Sequence, residues 1–101
     1  MPARLFFSWK AEEDLTALYQ GLAMANPGRA REFLRSIEAR CESLLLFPRQ
    51  GRARDDLLPG VRILPYAGAA VIAYRVRGEE VSVERVFTSG QDYERLLNRS
   101  P

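Results

Sequence analysis

Hydrophobic residues recur every three to four positions in the first half of the chain and alternate with polar residues in the second half. A short apolar run, Arg4–Ser8, predicts a first strand ahead of the helical half. Ser8 then serves as the N-cap of a helix that we expect to run to about Ala25. Asn26 caps a second helix, expected to run to about Phe47, because asparagine is a strong N-cap and the proline after it suits the first helical position.

The second half predicts three short strands, each rich in β-branched or aromatic residues. They are Val61–Leu64, Ala69–Val76 and Glu80–Phe87. Gly78 lies between the last two strands and indicates a hairpin. Alternation places one set of side chains toward the helices: Val61, Ile63, Ile72, Tyr74, Val76, Val81 and Val83. Arg62, Arg75 and Glu84 then face outward. Arg85 breaks the alternation, so a bulge or the end of the strand lies beside it.

These elements predict one α+β domain spanning residues 1–101, with the order β-α-α-β-β-β. An antiparallel sheet packs on the helical hairpin, because the hairpin needs an apolar face to cover its own stripe. The first strand joins an edge of the sheet and runs antiparallel to its neighbour if it pairs with the second or the fourth predicted strand. A short C-terminal segment, residues 92–97, is expected to form one or two helical turns, which either dock on the domain or are displaced by a partner.

The composition excludes several kinds of catalytic site. The chain has no histidine, so Ser-His-Asp and Cys-His catalysis and histidine-based metal sites are absent. The single cysteine, Cys41, falls on the apolar stripe of the second helix and is expected to be a core thiol, as in a protein of a reducing compartment. No Walker A loop or GxGxxG motif occurs. We therefore expect no cofactor and no metal.

The lengths of the apolar runs and the pattern of the N-terminus indicate where the protein is located. None approaches the ~20 residues that a membrane-spanning helix needs. The N-terminus carries no signal-peptide pattern. A cytoplasmic protein without a membrane partner is therefore expected.

Arginine dominates the basic residues: of the 15 lysines and arginines, only Lys10 is a lysine. A GC-rich genome would explain the count, but clustering in one loop favours binding of carboxylates or phosphates, which the planar guanidinium group suits. Arg62 has a second interpretation, as a sheet-surface residue that orders the loop, and Tyr93 as an anchor for the C-terminal segment. The candidate binding residues are Arg49, Arg52, Arg54, Arg62, Arg75, Arg85 and Tyr93.

Four short motifs follow one another between Pro48 and Phe87. In order they read P-x-x-G-R-x-R, L-x-P-G-x-R-I-L-P, V-I-A-Y-R-V and V-x-V-x-R-V-F. This series resembles the ParE branch of the RelE/ParE toxins of bacterial type II toxin–antitoxin systems. The resemblance implies the same β-α-α-β-β-β fold. It also implies a cognate ParD-like antitoxin that wraps over the toxin, neutralises it and forms a hetero-oligomer with it.

The two branches of this superfamily imply different targets. RelE-like members are ribosome-dependent endoribonucleases, whereas ParE-like members poison DNA gyrase without cleavage chemistry of their own. Leu64, Val71 and Gln91 stand where the RelE pattern has basic residues. The resemblance therefore favours gyrase as the target and no catalytic site. Two alternatives stay open: an mRNA endonuclease using Arg62, Arg75, Arg85 and Tyr93, and an inactive toxin-fold module that only binds an antitoxin. Direct binding of nucleic acid is left open as well.

Overall fold

The computed structural model describes residues 2–88 and 90–98, which contain a five-stranded sheet, three α-helices and a 3-10 turn. Their bounds are β1 Arg4–Phe7, α1 Trp9–Ala23, α2 Pro27–Glu42, the 3-10 turn Ser43–Leu45, β2 Arg52–Ala53, β3 Val61–Tyr66, β4 Ala70–Arg77, β5 Glu80–Thr88 and α3 Tyr93–Asn98. The α+β class and the helical hairpin are confirmed. Within these ranges, no helix has the length and apolar character needed to cross a membrane.

Both long helices begin at the residues that the sequence predicts. The Ser8 hydroxyl oxygen accepts the backbone N–H of Ala11 at 3.0 Å, and the Asn26 side-chain oxygen accepts that of Arg29 at 3.1 Å. Each cap residue has an extended backbone and satisfies one of the N–H groups that a helix start leaves unpaired. These two caps are encoded locally, because each donor lies three residues after its acceptor.

The second helix ends earlier than expected, at Glu42 rather than near Phe47, and a 3-10 turn follows it. A downstream side chain occupies this end: Gln50 Nε2 donates to the Ser43 carbonyl at 3.2 Å and to its hydroxyl at 3.0 Å. The sequence offers no glycine or proline here before Pro48, so its helical pattern continues past the true end. A tertiary contact therefore accompanies the early termination.

The sheet has the strand order β1-β5-β4-β3-β2, and β1 runs parallel to β5. The expectation that the first strand is antiparallel to its neighbour is therefore wrong. The cause is β2, a two-residue strand inside the predicted loop that pairs antiparallel with β3. This extra strand adds one reversal of chain direction between α2 and β3. Every later strand consequently runs opposite to the expected direction, and β5 matches β1.

Both faces of the sheet are covered, which corrects the predicted inward set. Arg62 lies directly opposite Tyr74 and Ile63 opposite Ala73, and residues that face each other across strands share a face. The helix side of the sheet carries Leu64, Ile72, Tyr74, Val81, Val83 and Val86, packed against α1 and α2. The far side carries Val61, Ile63, Ala73 and Phe87, packed against Leu57 and Leu97. Val61 and Ile63 thus face away from the helices, and Arg62 faces the helix side rather than outward.

A bulge in β5 explains the irregular position of Arg85. Tyr74 pairs with Val83 but Ala73 pairs with Arg85, which leaves Glu84 as the extra residue. Of the two alternatives given above, the bulge is the one that occurs. It moves Arg85 to the far side and returns Val86 to the helix side.

The free edge of β5 beyond the bulge is closed by α1, because β1 ends at Phe7. The Ser8 hydroxyl donates to the Glu84 carbonyl at 2.7 Å, and an Asp14 carboxylate oxygen accepts the Val86 N–H at 2.9 Å. Two side chains at the start of α1 therefore satisfy the backbone groups that the missing strand would have paired. This fixes α1 on the sheet.

Substitution by alanine should have opposite effects on stability at two glycines that have open space around them. Gly21 lies within α1 and Gly78 in the β4–β5 turn at φ +59°, and an added Cβ would meet nothing within 4 Å at either. Gly21→Ala is expected to raise the free energy of unfolding by about 0.5–1 kcal/mol, because alanine is the better helix former. Gly78→Ala is expected to lower it by about 1–2 kcal/mol, because an L-residue is strained at positive φ.

Urea unfolding followed by circular dichroism measures both changes against the unsubstituted protein. The paired variants control for each other, since the same methyl group is added to open space in both. Equal and same-signed shifts would contradict this account of the two backbones.

Candidate functional site

The arginine-bearing loop between α2 and β3 is fixed to the sheet by one buried tyrosine. Tyr74 is fully buried in β4, and its hydroxyl donates to the Pro48 carbonyl at 2.6 Å while accepting the Gly51 N–H at 2.8 Å. A Cβ on Gly51 would lie 2.7 Å from Cε1 of the Tyr74 ring, so only glycine fits. The loop therefore follows the ring closely.

Arg62 completes this anchor. Its Nη1 donates to the Gly51 carbonyl at 2.7 Å, so both backbone groups of Gly51 are held by side chains of the sheet. The side chain is half-buried and lies beside Tyr74 on the helix side. Of its two interpretations, the role of ordering the loop is the one that these contacts support.

Arg54 joins the loop to the C-terminal helix. Its Nη2 lies 2.8 Å from a carboxylate oxygen of Asp56 and 2.8 Å from one of Glu94 in α3. The hydrogen bond from Arg54 lowers the pKa of the Asp56 carboxyl, and the two acids raise the pKa of Arg54. Both acids are more than half exposed, so the contribution of the pairs to stability is small.

Arg75 in β4 and Arg85 in β5 are paired with acids of this chain. Arg85 donates from Nε and Nη2 to the two carboxylate oxygens of Asp14 at 2.8 and 3.0 Å, a bidentate pair that raises the pKa of Arg85. Its guanidinium carbon lies 4.8 Å from the centre of the Phe87 ring. Arg75 lies 3.4 Å from Glu84, and its Nε is buried without an acceptor among residues 2–88 and 90–98.

The Tyr93 side chain packs against the core on the far side of the sheet. It is half-buried at the start of α3, with its ring centre 6.2 Å from that of Phe87 and its side chain against the far-side core. Leu96 and Leu97 pack into the same cluster. The C-terminal segment is therefore docked on the sheet, which is one of the two arrangements that the sequence analysis gives for it.

Arg49 and Arg52 are the candidates left exposed. Neither lies within 4 Å of a carboxylate oxygen of the described residues. Arg52 pairs with Ile63 and so sits toward the far side at the edge of the sheet, whereas Arg62 sits toward the helix side. The structure thus brings Arg62 against the loop and divides the arginines between the two faces of the edge.

Sequence reasoning missed two apolar residues beside these arginines. Leu46 and Phe47 are 61% and 63% exposed, directly after the 3-10 turn. The signal was present in the run Leu44–Phe47, because four consecutive apolar residues cannot all lie on one face of a helix. Only the end of that helix decided which of them reach solvent.

The ionisable groups of the core are poorly suited to acid–base chemistry near neutral pH. Burial raises the pKa of Tyr74 above its ordinary value. Burial, with Glu38 and Glu42 nearby, raises the pKa of the Cys41 thiol to about 12. Among the described residues, no three His, Cys, Asp or Glu side chains are grouped to hold a metal ion.

Comparison with known proteins gives one consistent result. Residues 5–93 match the family described as "ParE toxin of type II toxin-antitoxin system, parDE". Over 70 residues the chain is 37% identical to Toxin ParE1 of Mycobacterium tuberculosis, in strains CDC 1551 / Oshkosh and ATCC 25618 / H37Rv, an alignment that covers 68% of this chain and 70% of that protein. A solved structure of the chromosomal ParDE TA system from P. aeruginosa is similar with a TM-score of 0.72 and 27% identity, over 87% of this chain and 96% of that one.

Removing the Tyr74 hydroxyl tests the anchor of the loop. Tyr74→Phe is expected to lower the free energy of unfolding by about 1–3 kcal/mol, because it leaves the buried Gly51 N–H and the Pro48 carbonyl without their partner. The measurement is urea unfolding at pH 8. Tyr66→Phe is a matched control, since that ring is only half-buried and no side-chain hydrogen bond of its hydroxyl occurs in the described residues. A stability equal to that of the control would contradict the anchoring role.

The effect of Tyr74→Phe on stability should also depend on pH. The pKa of Tyr74 is raised in the folded protein, so folding favours the protonated hydroxyl. This contribution is fully present below the unfolded pKa of about 10 and is lost as pH rises from there through the folded pKa. Between pH 9 and pH 11 the stability of the unsubstituted protein should therefore fall more steeply than that of Tyr74→Phe. Parallel pH profiles would show that Tyr74 makes no such contribution.

Proposed function

The chain belongs to the ParE toxin family of type II toxin–antitoxin systems, and on that basis we propose that a cognate ParD-like antitoxin neutralises it and that it inhibits DNA gyrase by binding. It would do so as a single-domain protein of the cytoplasm, where its target lies. Its partner would form a hetero-oligomer with it. The family and the likeness to a ParDE structure support the antitoxin partner.

We base the mode of action on one observation, the engagement of Arg75 and Arg85 by acids of this chain. Cleavage of RNA without a metal needs cations around the scissile phosphate, a base for the 2′-hydroxyl and an acid for the leaving oxygen. Arg85 is bound to Asp14 and Arg75 to Glu84. Such pairs neutralise the charge that a phosphate would need, which favours binding over cleavage.

The positions that are basic in RelE-like toxins support the same choice. Leu64 is buried in the helix-side core. Val71 packs against the far-side core. The Gln91 side-chain oxygen accepts the Thr88 N–H at 2.8 Å and its hydroxyl at 3.1 Å, so it serves to close the turn after β5. All three side chains have structural contacts in place of a cationic role.

The exposed arginines of the loop are the proposed contacts with antitoxin or target. Arg49 and Arg52 are exposed and make no ion pair within 4 Å among the described residues, so both guanidinium groups can meet an incoming carboxylate. Arg54, Arg75, Arg85 and Tyr93 would act on binding through the shape that their contacts hold. Arg62 holds the loop through Gly51, and its guanidinium makes no ion pair within the described residues, so it can also meet a carboxylate. Binding of this kind needs a shaped surface with a few anchors and no catalytic group.

Two assays with purified toxin test the proposal. Added to gyrase and relaxed plasmid, the toxin is expected to reduce supercoiling in proportion to its concentration, and the antitoxin encoded beside it to restore the activity. Added to translating ribosomes, the same preparation is expected to leave mRNA intact, because Arg75 and Arg85 are bound by acids of this chain. Toxin premixed with antitoxin is the control in both assays.

The outcomes separate three readings of the fold. Codon-dependent cuts in mRNA with unaffected supercoiling would favour the RelE-like endonuclease over gyrase inhibition. An effect in neither assay, from folded protein that still binds its antitoxin, would favour an inactive interaction module. Loss of supercoiling that the antitoxin does not reverse would contradict neutralisation.

A further inference from the structure

An exposed apolar pair stands out on the surface beside the anchored loop. Leu46 and Phe47 are 61% and 63% exposed, although Leu44, two residues before Leu46, is fully buried in the core. With Pro48, Arg49 and Gln50 they line a shallow depression of about 580 Å³. Adjacent large apolar side chains that leave the core for solvent are a frequent mark of a protein-binding surface.

Hydrogen bonds hold the segment of residues 46–51 in place. The Pro48 carbonyl and the Gly51 N–H are bound to the Tyr74 hydroxyl, and Gln50 Nε2 is bound to Ser43. The Phe47 N–H donates to the Ser43 carbonyl at 2.9 Å. A partner that docks here meets a surface that is already ordered, so little conformational freedom is lost on binding.

The loop that follows the apolar pair brings two arginines to this surface. Arg49 is exposed two residues after Phe47, and Arg62 binds the carbonyl of Gly51, four residues after Phe47. Neither guanidinium group has a carboxylate oxygen of the described residues within 4 Å. Asp56, an acid of the same loop, is taken by Arg54. The surface therefore combines an exposed apolar pair with two unpaired arginines of the loop that follows it.

We propose that this surface docks an acidic peptide segment that carries a large apolar side chain, and that the segment belongs to the antitoxin. The inference rests on the proposed function, and it adds to it the place and the chemistry of one contact. The apolar side chain would cover Leu46 and Phe47 while flanking carboxylates meet Arg49 and Arg62. A nucleic acid fits less well, because its phosphates gain nothing from an exposed leucine.

Two single substitutions on this surface test the inference by different physical routes. Phe47→Ala is expected to weaken the toxin–antitoxin Kd about tenfold by removing the apolar anchor. Arg49→Glu is expected to weaken it about tenfold and to flatten its dependence on salt, because it replaces an attraction by a repulsion. Arg31→Glu is the matched control: the same charge change on an exposed arginine near the start of α2, at the other end of that helix. It should change Kd by less than about twofold.

The measurement is calorimetric titration of purified toxin with the antitoxin encoded beside it, at two salt concentrations. Thermal unfolding of each variant within about 3 °C of the unsubstituted protein shows that folding is intact, as expected for exposed positions. If Phe47→Ala and Arg49→Glu bind as tightly as the unsubstituted protein, the inference is overturned while the proposed function stands. If the unsubstituted protein does not bind the antitoxin at all, both fail.

A nucleic-acid probe gives the remaining outcome. An oligothymidylate of about 20 nucleotides is titrated into the same variants. The inference expects no binding that depends on Phe47 and Arg49. Tight binding that both substitutions abolish, with antitoxin affinity unchanged, would overturn it in favour of a nucleic-acid surface.

Discussion

The loop and the surface around it depend on the two hydrogen bonds of the Tyr74 hydroxyl group. It is buried in the middle of β4, where an unpaired hydroxyl would be costly, and it finds its two partners in the backbone of the loop at Pro48 and Gly51. The constraint works in both directions. The sheet needs the loop to satisfy a buried polar group, and the loop gains a fixed path over the sheet.

The fixed loop has consequences on either side. Toward the helices, it places Gln50 where its amide meets the carbonyl of Ser43, at the end of α2. Toward the sheet, it aligns β2 against β3, and that short strand reverses the chain direction once more. The parallel pairing of β1 with β5 follows from that reversal. A two-residue strand thus decides the orientation of the remaining sheet relative to its first strand.

Pairing with acids of this chain gives two arginines of the sheet a structural role. Arg75 is bound to Glu84 of the neighbouring strand, and Arg85 to Asp14 of α1. Of the candidate arginines, Arg49 and Arg52 stay exposed without an ion pair among the described residues. One set of arginines thus holds the fold, and another faces outward.

Much of the fold is determined by the sequence alone, because its signals are local. The N-caps Ser8 and Asn26, the helical stripes and the strand-forming runs act over a few residues, and they predict the helical hairpin and the three main strands. The series of motifs likewise indicates the family. The irregular position of Arg85 was also visible in the sequence as a break in alternation, which left a bulge as one of two causes.

Tertiary structure decided what depends on partners far along the chain. The strand β2 forms by pairing with β3, and the facing of Val61 and Ile63 is set by the register with β4. The end of α2 is accompanied by the contact of Gln50 with Ser43. Alternation fixes which residues share a face but not which face meets the helices, since both faces here are apolar. The same limit applies to the candidate site. Sequence shows where the arginines are, but whether a guanidinium is free or bound depends on an acid such as Asp14, which only folding brings to it.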